Sequence, residues 1–349
     1  MSYLLGIDTG STVVKAALFD AEGGEIATAS RKSPVTQPQP GHSEFAMEES
    51  WRLTAEAVAE AVASSGVAAA DIKCVAPTGF GNGLLLLDRG GKPLGAGITS
   101  LDSRASGVVE AWSAQVEGFH AITTQNIFAA QPPAILAWIR DNEPERFDAI
   151  GSILLRKDFT RFRLSGVLGS ELTDLAGAGL VDTRTGEYSE QLLEAYGLTA
   201  LRGAPQPPQP ALCLLLLTLA ALHAGALPPI HASASVVGHV TAEAAAATTL
   251  APGTPVAAGL WDLDASALGA GVTRPGQACL VAGTWSINQA LSEGERVSRE
   301  ILMSKPYVVE GLWMAIEASA TSATNLEWFV DQVRQTEPHP LACVTSGAA

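Results

Sequence analysis

Basic residues are scarce in this chain: 21 Lys and Arg stand against 36 Asp and Glu, which gives a formal net charge of −15 at pH 7. Nucleic acids and anionic membrane surfaces are bound by clustered cations that release counterions, so the composition argues against both partners. An anionic small molecule would have to be held by local devices, such as converging backbone N–H groups, one or two cations, or a metal ion.

Cysteine is also rare. The four cysteines, at positions 74, 213, 279 and 343, lie far apart without a Cys-x-x-Cys pair, so we predict neither a zinc site nor a disulfide framework. Charged residues make up only 16% and hydrophobic residues 47% of the chain, which indicates a globular protein. No basic and apolar leader precedes the first predicted strand. We expect a cytoplasmic protein, and 349 residues favour two domains.

The most informative stretch is at the start of the chain. Two aliphatic runs flank residues 8–12, which predicts two strands joined by a tight turn. Gly10 lets the backbone approach a ligand closely, and successive N–H groups and hydroxyls can then bind phosphate. Asp8 fits such a site if Mg²⁺, directly or through water, lies between the carboxylate and the phosphate. The residues assigned to nucleotide or metal are Asp8, Thr9, Gly10, Ser11, Thr12 and Lys15. An ordinary hairpin with a glycine turn is the alternative.

This stretch resembles the first phosphate motif of the FGGY family of sugar kinases, which belong to the actin-like, ribonuclease-H-like ATPases. The resemblance implies an α/β fold of two domains, ATP and Mg²⁺ as cofactors, and a sugar or polyol as substrate. Residues 253–262 resemble the family motif at the domain junction, which implies that Asp262 is the general base. We therefore expect an N-terminal domain over residues 1–258 and a partial C-terminal domain over 259–349. Asp264 departs from the family pattern, and we interpret it as the N-cap of a helix that starts at Ala265.

Residues 277–288 again predict a strand, a Gly-Thr turn and a strand, and they resemble the family's second phosphate motif. The resemblance assigns Gly283, Thr284 and Asn325 to the nucleotide. Two similar hairpins, one near the start of each half, imply an internal duplication with the nucleotide between two related domains.

Three glycines alternate in the loop over residues 78–83, which places backbone and short side chains beside something that approaches closely. In FGGY kinases the corresponding loop contacts the sugar. Asp102 and Arg104 are expected at a strand end, on the same side, where they could bind vicinal hydroxyls; in isolation the pair indicates a surface ion pair. The resemblance assigns the substrate to Gly79, Phe80, Asn82, Asp102, Arg104, Gln131 and Asp262. Lys157 and Asp158 are expected to tie elements together, and direct contact with the substrate is the alternative.

Residues 203–226 do not match the family pattern. They consist of a Pro-rich and then a Leu-rich block, whose apolar run is shorter than the about 20 residues of a membrane span. We expect a buried or partner-seeking helix there, and a membrane anchor is the alternative.

The combined motifs look most like the branch of L-xylulose and 3-keto-sugar kinases, with erythritol-type polyol kinases close by. The implied reaction is transfer of the ATP γ-phosphoryl group to a sugar hydroxyl; a non-catalytic sugar-binding protein is the alternative. The resemblance stops at Gln332, so we expect an incomplete second domain with weak ATP binding and little turnover. Its uncovered sheet edge would invite pairing with another chain, so a homodimer is a candidate assembly.

Overall fold

The structure is a computed structural model that describes residues 2–202, 225–282 and 286–319. The strands are β1 (Tyr3–Thr9), β2 (Val13–Asp20), β3 (Glu25–Lys32), β4 (Glu44–Phe45), β5 (Ile72–Gly79), β6 (Leu85–Asp88), β7 (Gly97–Ile98), β8 (Ile150–Leu154), β9 (Ser170–Glu171), β10 (Val181–Asp182), β11 (Glu187–Tyr188), β12 (Ile230–His231), β13 (Val236–His239), β14 (Pro255–Ala257), β15 (Leu260–Trp261), β16 (Ala278–Ala282), β17 (Ser286–Ser292), β18 (Met303–Pro306) and β19 (Trp313–Ser319). The α-helices are α1 (Met47–Ser65), α2 (Ser106–Ala111), α3 (Val116–Thr123), α4 (Pro132–Asn142), α5 (Pro144–Asp148), α6 (Arg156–Ser165), α7 (Leu172–Gly177), α8 (Glu190–Ala195), α9 (Ala242–Thr248) and α10 (Asp262–Gly269). Short 3₁₀ helices cover Ala69–Asp71, Ser113–Gln115 and Thr199–Arg202.

A seven-stranded mixed sheet carries the N-terminal motif. Its order is β13-β14-β5-β1-β2-β3, and β15 also pairs with β5. Strands β1, β2 and β3 form an antiparallel meander, whereas β5 runs parallel to β1. In the hairpin register Asp8 lies opposite Lys15, and Thr9 opposite Val14. The predicted opening hairpin is therefore confirmed, and its turn comprises residues 10–12.

One face of this sheet is apolar because buried and polar side chains alternate along its strands, and successive side chains point to opposite faces. Leu5 and Ile7 of β1 and Leu18 of β2 are buried in a core shared with α1 and α6. Helix α1 buries Trp51, Val58 and Val62 on one face and ends at Gly66, whose φ of 68° is left-handed. The opposite face therefore presents Asp8 and Lys15, which alternate with the buried residues.

Two further cores complete the described chain. The Leu-rich strand β6 pairs with β8, and both pack with α4, α7 and α8. The third core lies between α10 and a four-stranded antiparallel sheet of order β16-β17-β19-β18. This sheet is attached to the N-terminal half by backbone hydrogen bonds from Ser304 to Thr124 (2.9 Å) and from Asn126 to Leu302 (2.8 Å). The domain boundary at residue 258 stays a prediction.

Some of the predictions fall outside the described residues. The strands of the second hairpin, β16 and β17, are confirmed, but its turn, with Gly283 and Thr284, is not described, and neither is Asn325. Of the segment at 203–226, only residues 225 and 226 are described, and Ala226 is buried in the second core. Within the described ranges, no helix combines the length and the apolar character needed to cross a membrane.

Candidate active site

Side-chain hydrogen bonds tie together the ends of three neighbouring strands. The hydroxyl of Thr9, at the end of β1, donates to the carbonyl of Thr78 in β5 (2.8 Å). The hydroxyl of Thr78 in turn donates to the carbonyl of Leu260 in β15 (2.8 Å). The phosphate turn, the glycine-rich loop and Asp262 each follow one of these strand ends, so the sheet brings all three to one edge.

A cavity of about 110 Å³ opens at this edge. Its polar lining comes from three predicted segments, namely Ser11 of the turn, Asn82 of the loop and Asp262, together with Ser100. Phe80 and Trp261 line it beside them, and the opposite wall is apolar and includes Ile287 and Met303 of the C-terminal sheet. Ser11 of the predicted phosphate turn, part of the glycine-rich loop and Asp262 thus line a single cavity, whose described lining does not include Asp102, Arg104 or Gln131.

A larger cavity of about 990 Å³ lies against the face of the central sheet that carries Asp8 and Lys15. Asp8 and Lys15 line it from the sheet, and Ala265 and Leu268 of α10 line it from the other side. The neighbouring sheet positions carry small residues such as Gly6 and Ala17, which leave this face uncovered. A nucleotide and its metal would have room here beside Asp8.

Asp262 is the first residue of α10 and has a strongly perturbed carboxyl group. Burial raises the pKa of Asp262 well above the usual range, and the negative charges of Asp8 and Asp174 raise it further. A carboxylate in such surroundings is a strong base once it is ionised, which suits proton abstraction from a hydroxyl.

Asp8 is half-buried, and burial raises its pKa while the charges of Lys15 and Arg156 lower it. Within the described residues, neither Asp8 nor Asp262 forms an ion pair. When both carboxyl groups are ionised, their negative charges repel each other. A divalent cation would relieve this repulsion, and Mg²⁺ is characteristically held by one or two carboxylates together with phosphates and water. The residues present therefore fit Mg²⁺. No group of three or more metal-ligating side chains occurs in the part of the chain that is described.

The glycine-rich loop is shaped by Trp261, which sequence reasoning missed. A Cβ atom on Gly81 would lie 2.2 Å from the indole nitrogen of Trp261, so only glycine fits there. Asn82 follows with a left-handed φ of 61° and is buried. Its side-chain oxygen has no hydrogen-bond partner among the described residues. An unpaired buried acceptor on a cavity wall is suited to a ligand hydroxyl.

Asp102 and Arg104 are paired with each other. Two side-chain nitrogens of Arg104 donate to Asp102 (2.9 and 2.8 Å), and the guanidinium also reaches Glu44 (2.7 Å). Both side chains are at most 1% exposed, so the alternative of a surface ion pair is wrong. The expected strand also ends early, at Ile98, so the pair follows a turn rather than a strand end. Their contact with substrate stays a prediction, and so does that of Gln131, whose amide donates to Gln125 (2.9 Å).

A network of buried, charged side chains lies next to the segment that leads to Asp262. Lys157 contacts Asp158 (3.1 Å), Asp174 (2.9 Å) and Glu171 (3.7 Å), and all four side chains are inaccessible to solvent. Arg161 joins Asp158 (3.0 Å) and donates to the carbonyl of Ala258 (3.0 Å), on the segment that leads to Asp262. These contacts agree with the expectation that Lys157 and Asp158 tie elements together.

The interpretation of Asp264 as an N-cap is wrong. Helix α10 begins at Asp262, so Asp264 lies inside its first turn, and the N-cap is Trp261. The Asp264 carboxylate instead accepts a hydrogen bond from the buried Lys305 of β18 (2.6 Å), which stands over the Trp261 ring. A sequence gives little warning of this partner, which lies 41 residues away.

The fold and the site define a class of protein. The structure superimposes on the xylulose kinase from Rhodospirillum rubrum with a TM-score of 0.82 at 27% identity, over 96% of this chain and 64% of that one. The class is the actin-like α/β fold of two-domain sugar kinases. Residues 3–203 match the N-terminal domain of the FGGY family of carbohydrate kinases. The chain belongs to that family.

Curated relatives agree with this assignment. The chain is 35% identical to a probable L-xylulose kinase from Pasteurella multocida (strain Pm70) over 335 residues, which cover 95% of this chain and 65% of the relative. It is 33% identical to the L-xylulose/3-keto-L-gulonate kinase from Escherichia coli (strain K12), over 95% of this chain and 62% of that protein. The chain thus spans less than two thirds of the length of these relatives.

Proposed function

We propose that this chain provides the sugar site and the first phosphate site of a kinase that transfers the γ-phosphoryl group of ATP to a hydroxyl of a pentulose such as L-xylulose. The observation that carries the proposal is that Ser11, Asn82 and Asp262, from three separate segments, line one cavity. The relatives named L-xylulose kinases support the choice of substrate.

The chemistry follows from the side chains around that cavity. Phe80 and Trp261 provide apolar walls for the carbon face of a sugar, and the Asn82 oxygen, unpaired within the described residues, accepts a hydrogen bond from a sugar hydroxyl. Asp262 orients the attacking hydroxyl and accepts its proton as the new O–P bond forms, while the bond from the γ-phosphorus to the bridging oxygen breaks and ADP leaves with that oxygen. The N–H groups and hydroxyls of residues 10–12 hold the phosphates in line with that hydroxyl. Asp8 would hold Mg²⁺, and the bound ion would neutralise part of the negative charge of the phosphates.

The experiment is a pair of measurements on the 349-residue chain. Calorimetry would measure binding of L-xylulose, xylitol and MgADP, and a coupled assay would measure ADP release from ATP with L-xylulose. Sugar-dependent ADP release supports the proposal. Sugar binding with weak MgADP binding and little turnover is the outcome expected from the sequence. Sugar binding without any MgADP binding would favour a non-catalytic sugar-binding protein, and the absence of sugar binding would reject the sugar site. Weak ATP binding, little turnover, a cytoplasmic location and a homodimer stay predictions.

A further inference from the structure

Arg156 is a buried cation that has no part in the mechanism above. It is the first residue of α6 and is 1% exposed. Its Nε donates to the carbonyl of Thr9 (3.4 Å), and one terminal nitrogen donates to the Ser50 hydroxyl. Among the described residues it forms no ion pair. Because an unpaired buried charge is unfavourable, its surroundings must stabilise it in other ways.

Aromatic rings supply part of that stabilisation. The guanidinium carbon lies 4.5 Å from the ring centroid of Phe45 and 5.8 Å from that of Phe80, and the two rings meet edge to face. Burial lowers the pKa of Arg156 to about 9, and the negative charge of Asp8 opposes this shift. Asp8 thus acts on Arg156 through its charge, without an ion pair between the two side chains in the described part of the chain.

The same side chain reaches both ligand sites. The Thr9 carbonyl begins the phosphate turn, whereas Phe80 lines the cavity that contains Asp262. Gly79 lies between them, and a Cβ atom there would be 2.5 Å from the Thr9 hydroxyl and 3.0 Å from Cγ of Arg156. The contact leaves no free space, so a displacement of Arg156 would move both the turn and the Phe80 ring.

We propose that Arg156 is a positioning residue that couples the sugar site to the nucleotide site. It would act through the ring of Phe80 on one side and through the Thr9 carbonyl, next to the phosphate turn, on the other. The inference rests on the proposed function. Phosphate bound at the turn adds negative charge near Asp8 and holds the guanidinium in place, which in turn holds Phe80 against the sugar. Because such coupling is reciprocal, sugar packed on Phe80 also favours the turn geometry that binds phosphate.

The test measures the affinity for L-xylulose with and without saturating MgADP, and the affinity for MgADP with and without L-xylulose. In the wild-type chain each ligand should tighten the other by about fivefold or more, the lower end of typical couplings. Arg156→Met should weaken both ligands and bring the coupling factor to about 1. Arg156→Lys keeps the charge but loses the planar stacking, so sugar affinity and coupling should fall while MgADP affinity is kept.

Arg163→Met is the matched control. Arg163 lies on the same helix over the rings of Trp51 (5.1 Å) and Phe159 (5.8 Å), but it pairs with Glu48 and contacts neither ligand segment. Its substitution should leave both affinities and the coupling unchanged. Two results overturn this inference and leave the proposed function standing. In the first, the wild-type chain binds both ligands with a coupling factor of about 1. In the second, the coupling factor of Arg156→Met equals that of the wild type. If Arg156→Met does not fold, unchanged sugar affinity in Arg156→Lys overturns it instead. A wild-type chain that binds neither ligand rejects the proposed function itself.

Discussion

At the scale of single residues, the site concentrates carboxyl groups in positions where ionisation is difficult. Burial raises the pKa of Asp262, of Asp174 to about 7 and of Asp264 to about 6, and neighbouring carboxylates add to each shift. Asp174 and Asp264 each have a lysine partner, whereas Asp262 has none in the described part of the chain. Of these three carboxyl groups, Asp262 is therefore the one that is available to act on a ligand.

Asp262→Asn tests the general base. The amide cannot accept the hydroxyl proton, so turnover should fall by about 10²–10⁴-fold, while the affinity for sugar should change much less. Steady-state kinetics and calorimetry on the same preparation give both values. Asp148→Asn, at an exposed position, is the control. If Asp264→Asn abolishes turnover and Asp262→Asn does not, the two carboxylates have been assigned the wrong way round.

Asp8→Asn tests the metal site. We expect weaker binding of MgADP, because the amide removes the negative charge that would hold Mg²⁺. L-xylulose binding should be nearly unchanged, since Asp8 lines the larger cavity and not the one that contains Asn82. Calorimetric titrations with each ligand check this, and an equal loss of both affinities would argue against the assignment.

At the scale of elements, the glycine-rich loop and α10 are held in place by tight packing. Gly81→Ala would place a methyl group 2.2 Å from the indole nitrogen of Trp261. The overlap should destabilise the fold by about 1–3 kcal/mol and weaken sugar binding, because loop and indole both line the cavity. Denaturant titration and calorimetry measure the two effects. Gly107→Ala, in α2 with open space around it, should instead be neutral or stabilising, and similar losses in both variants would contradict the packing argument.

The network of buried, charged side chains next to the segment that leads to Asp262 holds α6 and α7 together. Lys157→Met would leave Asp158, Glu171 and Asp174 buried with only Arg161 to balance them. Because breaking a buried ion pair leaves a buried charge without a partner, we expect the free energy of unfolding to fall by about 3–5 kcal/mol. Urea denaturation measures this change. Lys73→Met, at an exposed ion pair, should change stability by less than about 0.5 kcal/mol. A cost for Lys157→Met no larger than that of the control would show that the network is not a source of stability.

At the scale of the whole molecule, the buried carboxyl groups should make stability depend on pH. In the unfolded chain Asp262 ionises near about pH 3.9, whereas in the folded protein its pKa is raised. The folded state therefore binds the proton more tightly, and stability falls as pH rises through the raised pKa. His120 and His231, whose pKa values burial lowers, act in the opposite sense, but only below about pH 6.5.

We therefore expect the free energy of unfolding to decrease over the range above about pH 6.5, where the histidines no longer contribute and where Asp174, with a pKa of about 7, and Asp262 lose their protons. Asp262→Asn should be more stable than the wild type at the upper end of this range and should show a shallower decrease. Thermal unfolding across the range measures both slopes. Parallel curves for the two proteins would show that Asp262 is already ionised at pH 6.5.

Local patterns predicted two of the hairpins in advance. Two aliphatic runs around residues 8–12 predicted the opening hairpin, and the strand, Gly-Thr turn and strand at residues 277–288 predicted β16 and β17. These features depend on neighbours within a few residues, so the sequence displays them directly. The motif resemblance also identified the fold family, because its residues lie at the ends of adjacent strands.

Only the tertiary structure decided which groups meet. It paired Asp264 with Lys305, buried Asp102 and Arg104 against Glu44, packed Trp261 on Gly81, and placed Arg156 between Phe80 and Thr9. Each of these contacts, apart from the local Asp102–Arg104 pair, joins residues far apart in the chain. The raised pKa of Asp262 likewise arises from burial and from charges on other strands and helices. Proximity across the fold, and the exclusion of water that comes with it, is set by packing and cannot be read from local spacing.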